Sequence, residues 1–396
     1  MRVLILSPSF YSAAVKAKEF DSFAAEAIIA TDSIEAITSQ FSFNHPIVQT
    51  NIYDPQSIVN SLDRKIDLIV WCSDKFAMIA AEVYRLLGME TRHVLPRSDA
   101  KLITDKFHFD NFISSDLIRQ QRKLCPKTEQ DFIDHLVAFD FPIFVKPNRS
   151  SGTYTTKPWG YKRYESLADF YGYLNKSGFL KDFLKHNREA GNHLYSYGEY
   201  AIYEFIPVEA SIFYVNLLKV DDKVFFLPDG EIVMTPDLPD SIDQIYFSNA
   251  DFQDERHKKL IDQLSERISS LKGTFFLGIQ LFDLGDQFIA FDVNTRLSTV
   301  WFEFQREYFP SFFSSAFDIM EDSSKGLDEL KKMTVQCVGF KKIYKEVDLL
   351  PEGVKLLKLD RPQSSQIYQQ PLAIAPGSTI AQVKSLLGTI NKIEEN

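Results

Sequence analysis

The stretch Gln287–Arg296, QFIAFDVNTR, holds the densest set of residues able to do chemistry in the chain. Strict strand alternation predicts Phe288, Ala290, Asp292, Asn294 and Arg296 on one face, with Ile289, Phe291 and Val293 on the other. A carboxylate and an amide two residues apart on one face supply hard oxygen ligands to a single Mg²⁺. The arginine that follows can take phosphate or carboxylate oxygens with both arms of its guanidinium. The plainer reading is a strand end whose polar residues meet water. Two lysines move the balance toward chemistry. Lys106 opens a helical stretch after Thr104-Asp105, and Lys146 ends a strand just before Pro147. A lysine at a strand terminus, followed by a polar loop (148–160) that contains Gly152, is well placed to meet phosphate oxygens.

The rest of the composition narrows the classes. A net charge of −10 leaves no excess of Lys and Arg to neutralise a nucleic-acid backbone, although a small cationic pocket for a nucleotide is allowed. The cysteines Cys72, Cys125 and Cys337 lie far apart and show no CxxC spacing, which suits a reducing cytoplasm rather than a disulfide framework or zinc site. The seven histidines show no metal-binding spacing. MRVLILSPSF has an apolar run too short for a signal-peptide core, and no stretch approaches a membrane span. Phenylalanine is abundant at 34 residues, read as core packing in place of leucine rather than as a pocket lining.

Elements that could position these residues follow from the hydrophobic pattern. A chain of 396 residues exceeds one compact core and suits two or three domains. Val3–Leu6, Ala27–Ala30 and Asp67–Trp71 read as buried strands, alternating with helices over Ala13–Ala25 and Phe76–Leu87; together they predict a parallel sheet covered on both faces. No GxGxxG follows the first strand. A smaller α+β lobe follows, with strands Phe141–Pro147 and Tyr200–Ile206 and helices near Ser166–Leu174 and Phe179–His186. Next come a hairpin turning at Asp221-Asp222, a helix spaced on Leu260, Ile261, Leu264, Ile268 and Leu271, and two strands, Phe275–Phe282 and Gln287–Val293. A charged helix beyond Met320 and strands at Val335–Phe340 and Val354–Lys358 complete the reading. Asp237 and Asp240 are expected in turns.

In order, Lys106, Lys146-Pro147, Ser150-Ser151-Gly152, Glu204, Gln280 and Asp292-x-Asn294-x-Arg296 resemble the ATP-grasp superfamily over most of the chain. HVLPRSDAKLITDK (His93–Lys106) looks like the entry to the family's lysine helix, FPIFVKP like its second lysine strand, YEFIPVEAS like its adenine hinge and FDVNTR like its magnesium motif. The resemblance implies a multidomain α/β and α+β protein. Its parts would be a Rossmann-like first domain (1–105), a linker helix and small lobe (106–207), a large lobe (208–330) and a C-terminal subdomain (331–396). It implies that Lys106 and Lys146 hold phosphates, with Ser150, Ser151, Gly152 and Thr153 lying over them. Glu204, Phe205 and Ile206 would meet adenine, and Glu209 the ribose. Gln280, Asp292 and Asn294 would ligate Mg²⁺ (or Mn²⁺), and Arg296 would steady the reacting acyl group.

The implied activity is ligation of a carboxylate to an amine through an acyl phosphate, with ATP and Mg²⁺ as cofactors. Small-molecule substrates, a homodimer, and no nucleic-acid or membrane partner go with it. Two further readings stay open: a bicarbonate-activating subunit of the biotin-carboxylase or carbamoyl-phosphate type, and a nucleotide-binding module without turnover. The second is motivated by three departures from the family pattern. Asp292 replaces the usual Glu, Gln280 replaces a carboxylate, and the loop after Lys146 is poor in glycine. Hairpin parity leaves Gln280 and Asp283 as rival partners of Asp292, according to the number of residues in the turn. Arg306 is a further candidate carboxylate holder, and Trp301, Phe302, Phe304, Tyr308 and Phe309 are read as core or interface.

Overall fold

The computed structural model describes residues 1–6, 26–35, 45–63, 65–139, 141–149, 157–160, 162–190, 198–206, 210–227, 229–235, 238–248, 254–296, 312–321, 337–342, 350–357 and 372–395. The expected helix over 13–25 and the charged helix beyond Met320 lie outside these residues.

Strands β1 (Arg2–Leu6), β2 (Glu26–Thr31), β3 (Ile47–Gln49) and β4 (Leu68–Trp71) form a parallel sheet in the order β3-β2-β1-β4. Val3 to Leu6 are buried without alternation, as a parallel strand covered on both faces requires. Helix α1 (Pro55–Asn60) starts on the Asp54 side chain, which accepts from the Gln56 N–H. Helix α2 (Phe76–Leu86) ends at Gly88, whose φ of +61° closes it. The Tyr84 hydroxyl accepts the Ile69 N–H at 2.8 Å and ties α2 to β4.

Helices α3 (Arg97–Thr104) and α4 (Lys106–Ile113) lead to the short strands β5 (Ile118–Arg119) and β6 (Lys123–Leu124). Then come α5 (Glu129–His135), β7 (Ile143–Pro147), β8 (Lys162–Tyr164), α6 (Leu167–Lys176), α7 (Leu180–Ala190) and β9 (Tyr200–Glu204). The small sheet has the order β6-β9-β7-β8. One face buries Leu124, Ile143, Val145, Tyr200 and Ile202 against Phe132, Phe170, Phe183 and Trp159. Phe132, Phe170 and Phe183 pack ring against ring here, each pair adding about 0.5–1.5 kcal/mol beyond its burial. The strand period sends Lys123, Phe144, Lys146, Ala201 and Tyr203 to the opposite face.

The remaining strands are β10 (Ser211–Val220), β11 (Lys223–Phe226), β12 (Asp229–Thr235), β13 (Leu238–Ser248), β14 (Thr274–Asp283), β15 (Phe288–Asn294), β16 (Cys337–Lys342), β17 (Lys355–Leu357) and β18 (Leu372–Gly377). With β5 they make a large sheet of ten strands among the described residues. Helix α8 (Glu255–Ser269) packs Leu260, Leu264 and Ile268 into the core shared by β10, β14, β15 and the first sheet. Helices α9 (Phe312–Glu321) and α10 (Ile380–Glu395) complete the described elements. The Asp221-Asp222 hairpin forms as expected, with Asp221 at φ +55°. Asp240 is not in a turn: it lies inside β13, a long strand that proline and acidic residues hide from a hydrophobicity reading. Asp237 lies outside the described residues.

One expectation about β15 fails in an instructive way. The β14–β15 hairpin pairs Asp283 with Phe288 and Leu281 with Ala290, but Gln280 with Asp292, so Phe291 is an extra residue at a β-bulge. The bulge flips the alternation. Phe288, Ala290 and Val293 share the α8-side core, whereas Asp292 and Asn294 stand on the face of Gln280 and Gly278, their cross-strand partners. Strict alternation would have put a carboxylate into that core in place of Val293.

Candidate active site

Lys106 is placed by a helix start. The Asp105 carboxylate caps α4 by accepting from the N–H groups of Phe107 (3.1 Å) and His108 (3.2 Å). The Lys106 N–H donates to the Asn148 carbonyl at 2.8 Å, which pins the start of α4 to the chain just past Lys146. Asn148 also reaches Asp105 and Glu199 through its amide nitrogen. The two lysines therefore enter the site from one hydrogen-bonded corner.

They meet at the bulge. The Lys106 ammonium pairs with the Asp292 carboxylate at 2.7 Å, with only 5% and 18% of the side chains exposed. The Lys146 ammonium donates to the Phe291 carbonyl and lies 4.8 Å from the Tyr203 ring centre. An extra residue in a ladder leaves its backbone groups out of register, and here one of those groups receives Lys146. The Phe291 ring stacks on Phe282 at 4.2 Å, so the bulge is held by packing as well as by charge.

Gln280, Asp292 and Asn294 share one face on adjacent strands. Gly278 sits opposite Asn294, where a Cβ would lie 2.4 Å from the Tyr214 hydroxyl; the site is built around that missing side chain. Asp283 stands on the other face, in a two-armed pair with Arg256 (2.6 and 3.0 Å), so the rival assignment of Asp283 beside Asp292 is overturned. The turn at 284–287 has an even length, which in an unbulged hairpin puts Asp283 on the face of Asp292; the bulge restores Gln280. No group of three or more His, Cys, Asp or Glu converges among the described residues. One carboxylate with two amides fits Mg²⁺, which is commonly held by one or two carboxylates and completes its shell with substrate phosphates and water.

At the other end of the small sheet, Glu204 is buried and locked. Its carboxylate takes Arg119 at 2.9 Å and Arg122 at 3.0 Å, plus the Arg122 N–H at 3.1 Å. The side chain is thus fully engaged within the protein. The Glu204 carbonyl accepts from Gln121 at 2.8 Å, and the Phe205 N–H donates to Pro142. The Phe205 ring carries the Arg163 guanidinium at 4.6 Å, and Ile206 is buried beside it. Nearby, Asp110 pairs with Lys123 at 2.5 Å; burial pushes the carboxyl up and the ammonium down in pKa, and each charge opposes the other's shift. The Gln121 Oε1, Asp110 Oδ1 and Tyr203 hydroxyl are buried with no hydrogen-bond partner among the described residues. Buried polar atoms left without a partner suit a polar ligand or ordered water.

Arg296 lies beyond the end of β15, with its Nε 3.3 Å from the Asp74 carboxylate. Asp74, Gln121, Arg119 and Arg122 were missed by sequence reasoning. A buried aspartate at the carboxyl end of an apolar parallel strand was the available signal for Asp74. Ser150, Ser151, Gly152, Thr153, Glu209, Arg306 and the aromatics at 301–309 lie outside the described residues.

No family model matches the sequence, and no curated protein matches it. Solved structures do. The N5-carboxyaminoimidazole synthetase from Staphylococcus aureus, complexed with ADP, aligns over 98% of this chain and 96% of its own, with TM-score 0.66 at 12% identity. A carboxyaminoimidazole ribonucleotide synthase from Aspergillus clavatus, complexed with ATP, aligns over 99% and 98% with TM-score 0.64 at 11% identity. A phosphoribosylglycinamide synthetase from Anaerococcus prevotii gives 99%, 98% and TM-score 0.64 at 14% identity. This chain has the ATP-grasp fold.

Proposed function

We propose that the chain is an ATP-dependent ligase that joins a carboxylate to an amine through an acyl phosphate, releasing ADP and phosphate. The carrying observation is the convergence of Lys106 and Lys146 on the Phe291–Asp292 bulge, beside Gln280 and Asn294 and just before Arg296. The neighbours support it: they include synthetases complexed with ATP or with ADP, one of them also with 5-aminoimidazole ribonucleotide. In this reading, the small lobe (106–207) lies over the nucleotide and the large lobe (208–330) carries the metal donors. The first domain (1–105) and the C-terminal subdomain (331–396) flank them.

A carboxylate is a poor acyl donor because its leaving group would be oxide, and phosphorylation supplies a better one. Lys106 and Lys146 bind phosphate oxygens, the first trading its Asp292 partner for them. Arg296 steadies charge on the acyl oxygens as it builds. Gln280, Asp292 and Asn294 would hold Mg²⁺, which would offset the charge on the phosphate oxygens. Base recognition falls to the main chain of Glu204–Ile206, whose position the Glu204–Arg119–Arg122 cluster fixes. The loop at 150–153 and Glu209 complete the proposed nucleotide contacts. No described helix is long and apolar enough to cross a membrane. A cytoplasmic setting, possession of a homodimer interface and exclusively small-molecule substrates belong to the same proposal.

The test is ADP and phosphate release across pools of amino acids, small carboxylates and amines. Bicarbonate belongs in the pools because several neighbours are carboxyaminoimidazole synthetases by name. Amine-dependent release, abolished by Lys146→Ala and by Asn294→Ala, supports the ligase. Stabilisation by ATP with no ADP formed from any pool would favour a binding module instead.

A further inference from the structure

The strand that carries Asp292 ends at Asn294, and the next two residues are held from outside its own sheet. The Thr295 N–H donates to Asp74 Oδ1 at 2.8 Å, and Arg296 Nε lies 3.3 Å from Asp74 Oδ2. The Trp71 indole N–H donates to the Thr295 hydroxyl at 3.2 Å. Trp71 ends β4 and Asp74 lies in the short connection just after it, so two side chains from this end of the first sheet grip the segment 295–296. Asp74 is 3% exposed and Thr295 2%, and the Arg296 side chain is also largely buried.

A buried aspartate needs partners for its charge, and Asp74 has the backbone amide and the guanidinium of consecutive residues. One carboxylate thereby accepts the backbone N–H of Thr295 and makes an ion pair with the Arg296 guanidinium. An arginine on a flexible stem gives up about 2 kcal/mol of rotamer entropy when it is ordered. Ordering it in advance removes that cost from the chemical step.

We infer that Asp74 is the positioning residue for Arg296: it holds the guanidinium aimed at the reacting acyl group and links that group's stabilisation to the first sheet. The inference rests on the ligase reading above. It adds a residue in another part of the chain, more than 200 positions away, on which the chemical step depends.

The experiment uses the full chain carrying Asp74→Asn, Asp74→Glu, Arg296→Lys, and Asp74→Asn combined with Arg296→Lys. The readouts are carboxylate-dependent ADP release and stabilisation by Mg·ADP. Asp74→Asn should lower kcat roughly 100-fold, the scale of misplacing one stabilising group. The KM for ATP and the Mg·ADP stabilisation should stay close to those of the parent. Asp74→Glu, which keeps the charge on a longer arm, should recover part of the loss; it also serves as the second variant if the asparagine form does not fold. The double variant should be no slower than the worse single one, because both changes disable one unit. Full kcat in Asp74→Asn would overturn the assignment. So would multiplied losses in the double variant, or a uniform fall in kcat and nucleotide binding. A parent protein with no carboxylate-dependent ADP release would instead remove the ligase reading, and the assignment with it.

Discussion

Replacing Asp292 by Asn probes the ion pair on which the site turns. Lys106 and Asp292 lie 2.7 Å apart, and the lysine side chain is only 5% exposed. Asparagine keeps the size and one carbonyl oxygen but removes the charge, which strands an ammonium in the cleft wall. Breaking a fully buried pair from one side costs 3–5 kcal/mol; the partial exposure of Asp292 places this change at the low end, about 3 kcal/mol. Differential scanning should therefore show a clear fall in the thermal midpoint of Asp292→Asn. Phosphate groups offer Lys106 a replacement partner, so ADP without metal should stabilise the variant more than the parent. The parent must break its pair to bind and the variant need not. Added Mg²⁺ should then bring the variant little more, while the parent gains a metal-dependent increment; ligand at 100 times Kd is worth about 2.7 kcal/mol over the unliganded protein. An unchanged midpoint, together with an intact Mg²⁺ increment in Asp292→Asn, would show that Asp292 neither pairs with Lys106 nor meets the metal.

Two other outcomes follow from the packing around the site. Burial, with Arg92 adding to it, lowers the His93 pKa to about 4, against an ordinary 6.5. Between those values the unfolded chain binds the proton and the folded chain does not, so stability falls as pH drops through this window. The loss should approach about 3 kcal/mol below pH 4. His93→Asn should flatten that part of the pH–stability curve, and equal slopes in variant and parent would contradict the assignment. Gly278→Ala places a methyl group 2.4 Å from the Tyr214 hydroxyl and directly beside Asn294. Overpacking should cost about 1–3 kcal/mol and weaken Mg·ADP stabilisation, and Tyr214→Leu in the same chain should relieve both.

The legible parts of the fold are those where local pattern and final environment agree. RVLIL declares a strand buried on both faces, and Lys146 at the end of IFVKP lies where its strand reading put it. The cap at Asp105 that starts the lysine helix is equally local. The bulge at Phe291 is not legible, because one extra residue changes register without changing composition. The only trace is that strict alternation would drive Asp292 into an apolar core that Val293 fills better. Strand β13 was hidden because LPDSIDQIYFS reads as a turn-rich segment until β12 and β16 pair with its two edges. Asp74 was missed because its partners, Thr295 and Arg296, lie more than 200 residues away and no spacing rule joins them. Glu204 was read for its place in a hinge; that its carboxylate is consumed by Arg119 and Arg122 is a tertiary fact.

The central claim is that a carboxylate oxygen attacks the terminal phosphate of ATP, and the fate of that oxygen tests it most directly. Carboxylates from an active pool would be labelled with ¹⁸O and turned over in unlabelled water with ATP, Mg²⁺ and amine. The released phosphate is then weighed by mass spectrometry. The account predicts one ¹⁸O in each phosphate, with the amide product retaining the other label. Unlabelled phosphate formed alongside product would contradict it.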